Sequence, residues 1–409
     1  MACRCEFQKR LLTLHSRLYS KSDRLVYLDY NATTPVDPRV LGAFERSCRQ
    51  TWGNPSSLHR AGITAFREME EARTAAAAYF GTDPAGIHFC GSGSEAIHAG
   101  LAGYLALHAG ALIVTTQLEH ASVKDAVLNL AAGENILYAA VDSEGKIDLG
   151  KLRKALEERD ISQGLIAVVS PVNHETGSLQ PAAELAALIK RSGAGGKTAN
   201  RGGLVFFDGV QAAARLAPES WVPHCSMFAV SGHKMYAPKG SAVLWKEPAV
   251  ELKSFRYGGN QEWGMFPGTE NTPAIAAFAE ALRLKSREFA DEERHLLVLT
   301  EELRTRLAEA AFPCILESPE SCAPGILCIS LPWAGDMEEV LAYLSGQNIC
   351  VSRFSACTGG VQGESDILRA MGRPRERLRS SLRISLGKWS RRDDLLRFEK
   401  ALTSLYSRS

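Results

Sequence analysis

The sequence predicts an α/β fold, with a large domain built on a mostly parallel sheet and a smaller α+β domain beside it. Three observations lead there. From Val26 onward, short apolar runs alternate with long amphipathic segments, as when helices cover a largely parallel sheet. A turn rich in glycine and serine, Gly91-Ser92-Gly93-Ser94, joins one such run to a helical stretch. After about Pro273 the periodicity becomes more helical, and a mixed region follows from Ile326 to the end. A chain of 409 residues has room for two domains.

Residues 1–23 are rich in arginine and lysine, with Glu6 and Asp23 as their only acids. We expect a disordered or misassigned extension there; an organelle transit peptide of the same composition is the alternative. Strands are expected at Gly86–Cys90, Leu112–Thr115, Leu165–Ser170, Leu204–Phe207 and Ser226–Val230. Each is a short apolar run bounded by polar or glycine-containing segments. Glu95–His108 and Ala182–Arg191 read as helices between them, and Ser192–Gly203 as a loop. Ala274–Phe289 reads as a further helix, followed by a long charged segment, Asp291–Ala310.

Composition narrows the class of function. The apolar share is 45% and the charged share 23%, as in ordinary globular proteins. Lysine and arginine number 47 against 46 acids, a net charge of +1, which points to neither nucleic acid nor an anionic membrane as partner. No apolar run reaches the roughly 18 to 20 residues that span a bilayer. The ten cysteines are scattered without a Cys-x-x-Cys pair, so no zinc site is expected and the chain reads as cytoplasmic with reduced thiols.

Three local patterns carry chemistry. Ser231-Gly232-His233-Lys234 directly follows the apolar run Cys225–Val230. A lysine there sits at the carboxyl edge of the sheet, where open α/β sheets bind ligands, and a partly desolvated amine can form a Schiff base. Upstream, Phe206-Phe207-Asp208 ends another strand. An acid at that place can pair with a protonated pyridine nitrogen, although Asp at a strand end is also a common helix cap. The turn Cys90-Gly91-Ser92-Gly93-Ser94-Glu95 lets bare backbone and a helix N-terminus approach an anion, without matching the dinucleotide or P-loop patterns. Together the three form a cofactor signature that none makes alone.

At these residues the chain resembles the cysteine desulfurases, in the class V aminotransferase group of pyridoxal-phosphate enzymes. The resemblance runs from about Val26 to Leu402. It is carried by Tyr27–Pro35, Gly53–Ser57, Glu119-His120, Val172–Gly177, the lysine motif, Gly268-Thr269-Glu270-Asn271, Ser355-Ala356-Cys357-Thr358 and Ser381–Gly387. It implies the fold-type-I architecture with a sheet of the seven-stranded type. Residues 38–289 would form the large domain, and 24–37 with 290–409 the small one. It also implies pyridoxal 5'-phosphate as cofactor and a homodimer with shared active sites.

The implied roles fall on individual residues. Lys234 would carry the cofactor, Asp208 would pair with its ring nitrogen, and His120 would stack on the ring. His174 and Gln211 would lie near the ring hydroxyl, and Asn173 would also bind the cofactor. Gly93, Ser94, Ser231 and His233 would hold the phosphate, and Thr269 would reach the phosphate of the neighbouring subunit. Arg383 would clamp the substrate carboxylate as a fork, with Asn31 beside it. Cys357 would be the nucleophile that takes sulfur from L-cysteine, since only a thiolate attacks sulfur well. The spacing from Cys357 to Leu368-Arg369-Ala370 matches the long-loop group, which hands sulfur to iron–sulfur scaffold proteins. The rival readings are a lyase or transaminase on another amino acid, such as selenocysteine, and a partner-binding paralogue without turnover.

Three departures stand beside the implied site. His174 replaces a usual asparagine and adds a group that titrates near neutrality. Trp263 and Phe266 replace two usual arginines, and Phe354 replaces a usual glycine ahead of the cysteine.

Overall fold

The structure is a computed structural model that describes residues 24–193, 202–353 and 363–408. The expectations for residues 1–23, Phe354 and Cys357 therefore lie outside the described residues.

After a short strand β1 (Val26–Tyr27), the chain lays down the strands of the main sheet. These are β2 (Ile87–Cys90), β3 (Leu112–Thr115), β4 (Ile136–Tyr138), β5 (Leu165–Val169), β6 (Leu204–Asp208), β7 (Met227–Ser231) and β8 (Ala242–Lys246). They form one seven-stranded sheet in the order β2-β8-β7-β6-β5-β3-β4. Pairs from β4 through β7 are parallel; β8 runs antiparallel between β2 and β7.

Burial on both faces explains why β5 and β6 read as unbroken apolar runs. Leu165, Ala167, Val169, Val205 and Phe207 pack on one face, against Met69 and Phe80 of helix Arg60–Phe80 and Leu185 and Ile189 of helix Ala182–Ser192. Ile166, Val168, Leu204 and Phe206 pack on the other, against Ile97 and Leu101 of helix Gly93–Leu105 and Val123 of helix Ala121–Leu130. The period of two in each strand sorts its side chains between the two faces of this sheet.

A second core lies around the antiparallel sheet β12-β10-β9, built from β9 (Ile315–Leu316), β10 (Ile326–Ser330) and β12 (Ser381–Ser385). Helix Arg392–Tyr406 contributes Leu395, Phe398 and Leu402. The N-terminal residues belong here: β1 pairs in parallel with β11 (Ile349–Cys350), and Val26 and Leu28 are wholly buried in this core.

One element differs from expectation. The helical stretch and the charged segment after Pro273 are a single helix, Thr272–Ala308, of 37 residues. No glycine or proline interrupts it after Pro273. Leu296, Leu299, Leu303 and Leu307 make a stripe, at spacings of three and four, that faces the second core. Charged neighbours hide that stripe from a reading by composition. The short strand β4 and the reversed strand β8 were not anticipated either.

Candidate active site

Strands β6 and β7 are parallel neighbours, with Asp208 opposite Ala229, so their carboxyl ends lie side by side. Asp208 is buried at the end of β6 and accepts the Val210 amide at 3.1 Å. Burial pushes its carboxyl up to about 6, while the bond from Val210 and the charge of Lys234 pull it back. Beyond β7 a single tight turn, Gly232–Lys234, delivers the lysine. Its Nζ donates to the main-chain carbonyls of Asn31 and, at 2.9 Å, Ala32.

The glycine-serine turn arrives from β2. Ser92 caps helix Gly93–Leu105 by accepting the Glu95 amide at 3.1 Å. A Cβ added to Gly93 would stand 2.9 Å from Val210 Cγ2 and 3.5 Å from Ser231 Cβ. Only a bare backbone lets this helix N-terminus lie against the ends of the two strands. Ser94 is exposed at the same N-terminus. His233 is half-buried, its Nδ1 3.0 Å from Thr33 Oγ1. Burial and the charges of Lys234 and Lys239 hold its imidazole down at about 4.

His120 caps helix Ala121–Leu130, its Nδ1 accepting the Ser122 amide at 3.1 Å, so that a neutral ring carries its proton on Nε2. Burial, then Lys234, Lys124 and Arg383, push it down to about 4. His174 meets it edge to face. Burial, then His120, Arg383 and Lys234, hold His174 well below the usual imidazole range.

Arg383, on β12, is buried. Its Nη1 donates to the His174 carbonyl at 3.1 Å and its Nη2 to Asp29 Oδ1 at 3.0 Å, while its buried Nε finds no partner among the described residues. Ser352 Oγ donates to the other Asp29 oxygen at 2.6 Å. Asn31 is the common neighbour. Its carbonyl accepts from Lys234 and, at 3.3 Å, from Gln211 Nε2; its Nδ2 donates to the His174 carbonyl at 3.2 Å. The Asn31 amide is thus held by protein on both ends, since Arg215 Nη2 donates to its Oδ1 at 2.7 Å.

The structure therefore brings Lys234, Asp208, Gln211, His120, His174, Arg383, Asn31, Gly93, Ser94, Ser231 and His233 to one edge of the sheet and the cleft beside the second core. Asn173 is there too, but its side chain folds its own loop. Its Nδ2 donates to the Leu118 carbonyl at 3.0 Å, and its Oδ1 accepts the amides of Glu175 and Thr176, each at 2.9 Å. Thr269 is exposed, and no hydrogen bond among the described residues joins it to the cluster.

Four buried or half-buried residues escaped the sequence reading. Asp29 holds Arg383, and Arg215 holds Asn31. Glu119 accepts from Thr116 Oγ1 at 2.6 Å and from Ser170 N and Oγ at 2.8 and 2.7 Å, and burial lifts it to about 7. Glu175, lifted to about 7 by burial, accepts from Ser365 Oγ. Three of the four lie in stretches already noted for other reasons; Arg215 carries no such signal.

The departures have local partners. The Glu262 carboxylate takes both terminal nitrogens of Arg73, at 2.9 and 2.8 Å, with the pair buried. The Trp263 ring lies against the same guanidinium, 4.5 Å from its centroid. Phe266 is buried under Arg256, 5.7 Å from ring centroid to guanidinium carbon.

The family model described as aminotransferase class-V matches residues 26–398. A mitosomal cysteine desulfurase of Encephalitozoon cuniculi is 30% identical over 373 residues, covering 89% of this chain and 83% of that protein. Cysteine desulfurase 2 of Trichormus variabilis is 33% identical over 375 residues, covering 90% and 89%. Among solved structures, a NifS-like protein from Rickettsia africae superposes with a TM-score of 0.82 at 27% identity, covering 94% of this chain and all of the other.

Proposed function

The chain belongs to the cysteine desulfurases of the class V aminotransferase family, and from that premise we propose that it converts L-cysteine to L-alanine and takes the sulfur onto Cys357. The observation that carries the reading is the meeting of Lys234 and Asp208 at adjacent strand ends, with Arg383 buried across the cleft. The family works with pyridoxal phosphate in general, and the residues present fit that group. Lys234 offers an amine, Asp208 a buried acid for the ring nitrogen, and Gln211 Oε1 a buried acceptor, without a partner among the described residues, for the ring hydroxyl. The close approach at Gly93 suits a phosphate, with Ser94, Ser231 and His233 around it. Asn173 would act through its loop, and Thr269 would serve the neighbouring subunit of a homodimer.

Bound there, the cofactor supplies a carbonyl carbon that joins amines and a protonated ring that draws electrons from the substrate Cα. Arg383 receives the substrate carboxylate, and Asp29 with the His174 carbonyl holds its fork in plane. The amine of Lys234 takes the Cα proton. The Cys357 thiolate attacks the substrate sulfur: a sulfur–sulfur bond forms, the carbon–sulfur bond breaks, its electron pair stays with the substrate Cβ, which takes up a proton, and Lys234 returns a proton to Cα. Neutral His120, with its proton on Nε2, exchanges protons with the thiols. Alanine leaves and the persulfide passes to a sulfur-acceptor protein, such as an iron–sulfur scaffold.

The same reading keeps the domain division at 38–289, with 24–37 joined to 290–409. Its support is that the second core draws on Val26, Leu28 and residues from Leu296 to Leu402. It also keeps the enzyme in the cytoplasm, away from nucleic acid and membrane; among the described residues no helix is long and apolar enough to cross a bilayer.

The test is incubation of the holoenzyme with L-cysteine, measuring alanine together with sulfide and protein persulfide. Equal amounts of alanine and released or bound sulfur are expected. Alanine with neither released sulfur nor a persulfide would transfer the reading to a lyase on this fold.

A further inference from the structure

Arg215 closes the four-residue helix Ala212–Arg215 and is buried, 5% exposed. Among the described residues it enters no ion pair. Its guanidinium is held by neutral acceptors only: Asn31 Oδ1 at 2.7 Å, the Leu386 carbonyl at 2.7 Å and the Pro324 carbonyl at 3.3 Å. A buried cation whose hydrogen bonds all go to neutral groups is costly, even with the charge of Glu292 in range, and a neutral side chain would fill the same space at less cost. Burial pulls its pKa below the usual arginine range. Such a residue calls for a reason, and its contact with Asn31 gives one.

An asparagine amide can turn over with little change of shape, because its oxygen and nitrogen ends are alike in size. A guanidinium can only donate. Beside Arg215 the Asn31 oxygen must therefore face the cation, and the NH2 must face the His174 carbonyl, 3.2 Å away. That carbonyl also accepts Arg383 Nη1, while the Asn31 carbonyl accepts Lys234 and Gln211. Turned over, the amide would set two oxygens against each other at the His174 carbonyl and leave Arg215 Nη2 without its acceptor.

We propose that Arg215 is a positioning residue which, by holding the Asn31 side chain, sets the fork of Arg383 through the His174 carbonyl and the amine of Lys234 through the Asn31 main chain. This deepens the reading given above, since it rests on Lys234 holding the cofactor and Arg383 the substrate. Arg215 touches neither.

A double-mutant cycle on the holoenzyme tests it, with Arg215→Met, Asn31→Ala and the pair. Three quantities are read: KM and kcat for L-cysteine, the pH midpoint of the bound cofactor's visible absorbance, and the thermal midpoint. Loss of one charge-assisted hydrogen bond predicts a rise in KM of about tenfold for Arg215→Met, with a smaller change in kcat and a shifted absorbance midpoint. In the Asn31→Ala background the same substitution should change KM and the absorbance midpoint by less than about twofold and not at all, respectively, because the route is already cut. A merely structural Arg215, tying the Leu386 and Pro324 carbonyls to the sheet, would lower the thermal midpoint equally in both backgrounds and leave the absorbance midpoint alone. That result, or additive effects on KM, overturns the proposal. Should Arg215→Met not accumulate as folded protein, Arg215→Lys keeps the charge without the planar fork and takes its place in the cycle. The absorbance arm does not depend on sulfur chemistry, so failure of the desulfurase reading and failure of this inference are distinguishable.

Discussion

The rings of His120 and His174 meet edge to face, with centroids 5.2 Å apart and planes at 82°. Both are held neutral by burial and by the cations of Lys234 and Arg383. An unfolded imidazole takes a proton near pH ~6.5, whereas the folded rings refuse it until lower pH, His120 until about 4. Between these values the unfolded chain binds more protons, so the pair costs stability as pH falls. Replacing His174 by Asn should make the loss of stability below pH ~6.5 shallower. Buried Asp208, Glu119 and Glu175 have raised pKa values and the opposite slope, which cancels when variant and wild type are compared. Urea unfolding midpoints against pH give the answer; parallel profiles would mean that His174 carries no such penalty.

Lys234→Ala should remove the visible absorbance of bound cofactor, because the amine that reaches the Asn31 and Ala32 carbonyls is the one set at the strand end. The apo fold should persist, since the two described bonds go to main-chain carbonyls that the deletion leaves in place. Absorbance that borohydride still fixes to the protein would point to a different lysine.

Cys357→Ser separates cofactor binding from sulfur transfer. A hydroxyl is nearly the size of a thiol but cannot store a persulfide. The variant should keep its colour and lose at least ~100-fold in alanine release under turnover. Retention of more than about a tenth of wild-type turnover, well inside that loss, would exclude Cys357 as nucleophile.

Arg73→Met should destabilise the protein by about 3–5 kcal/mol, because it strands the buried carboxylate of Glu262. Glu262 also accepts the Phe89 amide at 2.8 Å, and both Glu262 and Trp263 hold positive φ, at 50° and 55°. Denaturant unfolding reads the cost. A loss below about 1 kcal/mol would show that the pair is no better than an exposed one.

Much of this arrangement is legible in the chain. Leu165–Val169 and Leu204–Asp208 announce themselves because both of their faces are buried, and Asp208 and Lys234 stand where such strands end. What escapes is long-range and polar. Asn31 meets its partners Lys234, Gln211 and Arg215 through a main-chain oxygen and a side-chain amide, across separations of 180 residues and more. No local pattern encodes a carbonyl pointing at a distant amine. Asp29 is hidden likewise: nothing beside it in the chain marks it as the partner of Arg383, which β12 brings to it. The long helix was divided because its second half spends its apolar residues on a different core from its first.

That helix, Thr272–Ala308, spans roughly 55 Å at ~1.5 Å per residue. Its first half supplies Ile275, Phe278 and Leu282 to the core of the main sheet, and its second half supplies Leu296, Leu299 and Leu303 to the core beneath Arg383. A stiff rod seated in both cores resists any rocking of one against the other. Rotation would have to bend the rod between Leu284 and Glu292, where Lys285 is tied to the Ala214 carbonyl and to Glu292, and Glu292 to Tyr236. With both cores threaded on one continuous helix, the side chains between them share a single frame of reference, and a change in either core is transmitted along the rod to the other.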